Sequence, residues 1–141
     1  MKRTRLRDRD LPDYTRGEEI FNMVSHIVGG ALAIAALVLC VIFSALRGDA
    51  WSVAASAIYG AMMVILYTMS SIYHGLTSEM VKKVFQVIDH CTIYFLIAGT
   101  YTPITLVGLR RVDPVIGFLV FGIVWGCCLV AATLTAIDLE K

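Results

Sequence analysis

The chain has 141 residues, of which 58% are hydrophobic and only 16% charged, against about 25% charged in an average soluble domain. The charges are clustered: residues 20–46, 50–78, 90–109 and 114–137 carry no Asp, Glu, Lys or Arg, and together they make up 100 of the 141 positions. A bilayer-spanning helix needs roughly 20 apolar residues, so this pattern excludes a soluble enzyme domain, a nucleic-acid binder and a disordered chain; it predicts an all-α, polytopic bundle of four transmembrane helices.

The N-terminus, MKRTRLRDRD, is basic, as a signal peptide would be. A signal peptide's apolar core runs only about 7–15 residues, and the first apolar block here is far longer, so it is expected to be a retained span. Residues 1–19 form a basic segment, and 20–141 form the membrane domain. The first span is expected over about 22–46, followed by a turn at Arg47, Gly48 and Asp49. The second runs over about 51–74, with Trp51 suited to an interface anchor. A polar loop from Gly75 to Lys83 follows. The third span covers about 85–109, and Pro103 is expected to kink or end its regular helix. Pro114 opens the fourth, over about 114–137, in which Gly122 and Gly126 form a GxxxG pair that permits close helix packing and self-association. Cys40, Cys91, Cys127 and Cys128 all lie in apolar blocks without metal or disulfide spacing; they read as buried small hydrophobes.

Lys and Arg set the orientation. Lys2, Arg3, Arg5, Arg7, Arg9, Arg16, Lys82, Lys83 and Lys141 fall on one side of the four spans, and Arg47, Arg110 and Arg111 on the other. The positive-inside rule therefore predicts a cytoplasmic N-terminus in a plasma-membrane protein.

Polar residues inside spans are costly and face a protein interior or water. Glu19, Asn22 and His26 share one helical stripe. Ser70 and His74 stand four residues apart in span two, and Asp89 begins a stripe continued by Thr92 and Thr100 in span three. With the orientation above, Glu19, Asn22, Ser70 and Asp89, and all three histidines of the chain (His26, His74 and His90), lie in one leaflet. Other readings stand beside this one. His74 can snorkel to the headgroups. Glu19 can sit in water ahead of the helix, as an acid favoured by its dipole. Asn22 can bridge two helices. Asp89, an acid within VIDHCTIYFLIAG, needs a partner. Asp89 and His90 are adjacent and point about 100° apart, so both do not face one metal; the residues alone supply His74, with His26 a second candidate, and one ligand is not a site.

The segments EEIFNMVSHIVGG, SSIYHGL and IDHCTIYFLIAGTYTP, in this order, resemble the hemolysin III family, part of a larger group containing the progestin and adiponectin receptors. The resemblance covers about residues 14–141. It implies a seven-helix bundle with a cytoplasmic N-terminus and a zinc site in the cytoplasmic leaflet. In that resemblance the histidine of an SxxxH motif is a zinc ligand, which falls on His74. Ser70 and Asp89 take the places of a serine and an aspartate near the metal. Glu19, Asn22 and His26 match a further polar stripe of the family. The remaining ligands belong to an HxxxH motif in a seventh span; the chain ends at Lys141 after four spans, so a shortened member of the family is expected. The function implied for intact relatives is zinc-dependent hydrolysis of membrane-lipid amides or esters. The alternatives are a pore-forming, cytolytic protein and a non-catalytic sensor. The expected partners are membrane lipids and not nucleic acid.

Overall fold

Four helices long and apolar enough to cross a membrane dominate the computed structural model, which describes residues 4–137. They are α1 (Arg16–Arg47), α2 (Ala50–Gly75), α3 (Glu79–Pro103) extended by a π-helical segment (Ile104–Leu109) and a short α4 (Arg110–Val112), and α5 (Pro114–Ile137). The chain is a multi-pass membrane protein. Lys2, Arg3 and Lys141 of the charge count lie outside the described residues.

Helix ends follow capping chemistry more than hydropathy. α1 begins at Arg16, six residues before the apolar block suggests, because Thr15 and Glu18 form a reciprocal capping box. This brings Glu19 into the first helical turns rather than into water. The expected loop from Gly75 to Lys83 shrinks to Leu76–Ser78: α3 starts at Glu79, and Lys82 and Lys83 are helical. Both helices therefore begin ahead of the expected span starts at 22 and 85. The α1–α2 turn and the Pro114 helix start stand as expected, and Asp113 Oδ1 accepts from the Val115 and Ile116 amides to cap α5.

The helices form an open row: α1 packs on α2, α2 on α3, and α3 on α5. α1 therefore keeps most of its apolar side chains outward, Phe21, Leu32 and Leu46 among them. Such a surface is stable against lipid, not water. Cys128 is buried, whereas Cys40 and Cys127 are exposed, which corrects the expectation of four buried thiols; an edge helix leaves half its circumference to the lipid. A Cβ added at Gly122 or Gly126 would meet nothing within 4 Å, so the GxxxG pair packs on no helix among the described residues.

Pro103 does end the regular α-helix, since proline lacks an N–H and its ring crowds the preceding turn. The chain continues as a π segment without leaving the bundle. Fully buried Thr102 and Thr105 supply the compensation. Thr102 Oγ donates to Ala98 O at 2.8 Å and accepts from Trp125 Nε1 of α5 at 3.1 Å, while Thr105 Oγ lies 2.9 Å from Tyr101 O.

Gly60 sets the α1–α2 spacing. A Cβ there would stand 3.0 Å from the Leu37 Cα and 2.7 Å from its Cβ. On an exposed helix, Gly→Ala stabilises by about 1 kcal/mol. Here Gly60→Ala is expected to lower stability by about 1–2 kcal/mol through overpacking, measured as a fall in the thermal midpoint of the detergent-solubilised chain. A rise in the midpoint would show that the helices do not approach this closely.

Asp49 pins the α1–α2 turn as the N-cap of α2. Its Oδ1 accepts from Ser52 Oγ at 2.7 Å and Ser52 N at 2.8 Å, and its Oδ2 lies 3.1 Å from Arg110 Nη2. The Ser52 hydrogen bonds, aided by Arg111 and Arg110, hold its carboxyl at about 2 rather than the ordinary 3.8. Because the unfolded chain binds that proton more tightly, the stabilisation is full above about pH 4 and is lost as pH falls through about 2. Asp49→Asn is expected to flatten the acid dependence of the thermal midpoint across that window; an unchanged slope would remove Asp49 as its origin.

Candidate functional site

The polar residues of α1, α2 and α3 converge at the end of the row where the N-terminal segment lies. α1 presents Glu19, Asn22 and His26 along one stripe. Gly29 lets the Tyr67 ring lie against α1, since a Cβ there would stand 2.7 Å from Tyr67 Cε1. The Tyr67 and His26 ring centroids are 5.9 Å apart, and those of His26 and His74 are 5.8 Å apart. Tyr73 and Tyr14 complete an aromatic wall around His74, with centroids at 4.7 and 5.8 Å.

The centre of the cluster is Glu19. Its Oε2 lies 2.6 Å from His74 Nδ1, and its Oε1 accepts from Lys82 Nζ at 2.5 Å. The three side chains are largely buried, at 16%, 8% and 13% exposure. One carboxylate thus ties α1 to α2 and α3 at once. A carboxylate on Nδ1 fixes the imidazole tautomer with the proton on that nitrogen and the lone pair on Nε2. The ammonium of Lys82 also stands 5.4 Å over the Tyr73 ring.

Ser70 is buried one turn before His74 on α2. Asp89 is half-buried on α3 and lies within electrostatic range of His26 and Tyr73. The Nδ1 of His26 is buried and has no hydrogen-bond partner. Asn22 contributes its backbone carbonyl to Ser25 Oγ at 3.0 Å. The expected Asp89–Thr92–Thr100 stripe divides: Thr92 is buried, but Thr100 faces outward and bonds its own helix at Leu96 O. α3 is the middle helix and is covered from two sides, so its buried positions follow no single stripe. His90 turns away from His74 and lines a separate hollow with Arg9, Asp10 and Thr135.

Lys82 is the residue that sequence reasoning missed. It was assigned to a loop, yet Ser78 followed by Glu79 is a helix-start signal that puts it inside α3. Lys83 also turns inward: its Nζ sits 2.8 Å from Glu79 Oε1 and donates to the Arg7 carbonyl at 3.0 Å, which fastens the N-terminal segment to α3. A cavity of about 790 Å³ opens beside His74, walled by Tyr14, Arg16, Ile20, Met23 and Leu76. Its lining joins apolar side chains to a few polar ones, the usual character of a small-molecule site.

The donor chemistry at His74 fits one metal ligand. No group of three His, Cys, Asp or Glu side chains able to hold a metal ion occurs among the described residues. The described residues therefore form no complete metal site, and His74 stands as a single candidate ligand.

The model of the family described as "Haemolysin-III related" matches residues 14–141. The chain belongs to the haemolysin-III-related family. Hemolysin-3 homolog of Bacillus subtilis (strain 168) is 41% identical over 116 residues, covering 82% of this chain and 53% of that protein. Hemolysin-3 of Bacillus cereus is 41% identical over 108 residues, covering 77% and 48%. The chain thus spans about half the length of the curated haemolysin-III relatives it matches. No solved structure matches it.

In this haemolysin-III-related chain, Glu19→Gln is expected to weaken both contacts of α1, to His74 of α2 and to Lys82 of α3, together. Removing one partner of a buried ion pair costs roughly 3 kcal/mol. Lys82→Met in the Glu19→Gln background is expected to cost much less than Lys82→Met alone. Additive losses in that double-mutant cycle, read by thermal unfolding in detergent, would show that the two side chains do not interact.

Proposed function

We propose that this chain carries the histidine-bearing part of a zinc-dependent hydrolase of membrane-lipid amides or esters, with its N-terminus in the cytoplasm. The observation that carries the reading is His74, whose Nδ1 is held by the Glu19 carboxylate at 2.6 Å. That arrangement leaves Nε2 as the donor and resembles the carboxylate–histidine–metal pairing found at zinc sites. His74 would be the ligand from this chain. Zinc, when bound, supplies Lewis acidity toward the scissile carbonyl.

The chain's own residues have separable tasks. Glu19 orients the imidazole, and Lys82 keeps Glu19 ionised and in place. The Asp89 carboxylate accepts the proton of the attacking water. The Ser70 hydroxyl donates to the substrate oxygen or to that water. The cavity beside His74 admits the polar end of a lipid, with Ile20, Met23 and Leu76 against its apolar part. The cytoplasmic assignment rests on Arg5, Arg7, Arg9, Arg16, Lys82 and Lys83 at this end, against Arg47, Arg110 and Arg111 at the other.

In this chain joined to the remaining half of a full-length relative, the zinc content by elemental analysis is expected to fall to background in His74→Ala and to persist in His90→Ala. Glu19→Gln is expected to weaken zinc binding there roughly 10–100-fold, as loss of an orienting partner does. Equal zinc in that parent and its His74→Ala variant, or none in either, overturns the metal reading. A second reading, membrane lysis, is favoured by the name of the Bacillus cereus relative, Hemolysin-3. Release of an entrapped dye from liposomes by the purified chain, undiminished in His74→Ala, would support it over hydrolysis.

A further inference from the structure

The opposite end of the row holds a second cavity, of about 560 Å³ and largely apolar lining, between the end of α1, the start of α2 and the π segment after α3. Two guanidiniums, of Arg47 and Arg111, stand on its wall, and no carboxylate lines it. Ser52 and Ser56 add hydroxyls from successive turns of α2, and Phe43 and Val107 give it an apolar side. Its size falls within the range of roughly 300–1,000 Å³ typical of ligand pockets.

The charges around it do not balance. The nearest acid, Asp49, is shared: Arg110 lies 3.1 Å from its Oδ2 and Arg111 3.8 Å. The other acid at this end, Asp113, caps α5 through the Val115 and Ile116 amides. Arg47 has no carboxylate partner among the described residues; its guanidinium lies 5.9 Å over the Phe43 ring. Arg111 reaches Ser52 Oγ only at 3.4 Å and is half exposed, so its donors are largely unspent.

Depth selects the occupant. Arg47 directly follows the uncharged block 20–46, and Arg111 closely follows the uncharged block 90–109. Both guanidiniums therefore lie where the hydrocarbon ends and lipid phosphates begin. Ser44 and Ser56 bond each other at 2.8 Å about one turn deeper, and each hydroxyl keeps unused hydrogen-bonding capacity at the level of the glycerol esters. The π segment makes the room: it follows Pro103, and a Cβ at its Gly108 would meet nothing within 4 Å. Guanidinium forks match phosphate oxygens in geometry as well as charge.

We infer that this cavity is a binding site for the phosphate headgroup of a membrane glycerophospholipid, clamped between Arg47 and Arg111 with one acyl chain along Phe43 and Val107. The site is separate from the Glu19–His74 cluster and does not depend on metal chemistry.

The test uses the purified chain in neutral detergent and native mass spectrometry, titrated with phosphatidylglycerol. One lipid per chain is expected to be retained, with retention at least tenfold weaker in Arg47→Gln and in Arg111→Gln and only partly restored in Arg47→Lys, which keeps the charge but not the fork. Arg5→Gln, a cation lost from the other end, is expected to retain it unchanged. Millimolar inorganic phosphate is expected not to displace the lipid, because the apolar wall adds to the charge. Equal retention in the parent, Arg47→Gln and Arg111→Gln overturns the site, and so does an equal loss in Arg5→Gln. Displacement by phosphate alone makes it a free-anion site and overturns the lipid assignment. Arg47 makes no ion pair among the described residues, so its single variant keeps the test decisive if Arg111→Gln fails to fold.

Discussion

Glu19 sits where α1, α2 and α3 meet, and its buried carboxylate has to find positive charge or forfeit several kcal/mol of solvation. It finds Lys82 on one oxygen and the His74 imidazole on the other. The pairing explains features that look unrelated. α1 has to start early enough to carry Glu19 into the helix, which the Thr15–Glu18 capping box secures. α3 has to start early enough for Lys82 to be helical. The loop between α2 and α3 is then only three residues long. His74 is consequently an oriented imidazole with one committed nitrogen, a different chemical object from a histidine snorkelling to headgroups.

The middle of the row is held by other means. No ion pair occurs at that depth among the described residues, and the break at Pro103 costs an α-helical hydrogen bond. Threonine hydroxyls returning to their own helix, with one indole N–H arriving from α5, keep the break internal. Rigid ends and a hydroxyl-bonded middle suit a helix that carries polar groups at both membrane faces.

The spans were legible in the sequence because charge-free blocks of 20 or more residues report hydrocarbon directly. The helix starts were less so: Arg16, Glu18, Glu19, Glu79, Lys82 and Lys83 are charged, and hydropathy counts charged residues as outside. The Thr15–Glu18 capping box carried the missing information for α1, whereas Ser78 stands at the N-cap position of α3 without a side-chain cap bond. The depth of Glu19, His26, Ser70, His74 and Asp89 was legible from orientation and helical rise. Their pairing was not, because Lys82 was the partner and a lysine in an assumed loop has no defined direction. Thr100 failed for a geometric reason, since a stripe drawn from Asp89 assumes one buried face and α3 is covered from two.

The two ends of the row differ in how they use positive charge. At the N-terminal end, Lys82 is neutralised by Glu19, while Lys83 is neutralised by Glu79 and held by the Arg7 carbonyl. What remains there is a fixed imidazole beside a mixed cavity, an arrangement suited to chemistry on a polar group. At the other end, Asp49 is divided between two arginines and Asp113 is spent on a helix cap. Arg47 is then in surplus at the membrane boundary. A guanidinium at the hydrocarbon boundary is solvated by interfacial water or by an anion. The bilayer supplies such an anion at this depth in the phosphates of its lipids, so the surplus charge at this end has a counterion once the membrane is counted as part of the structure.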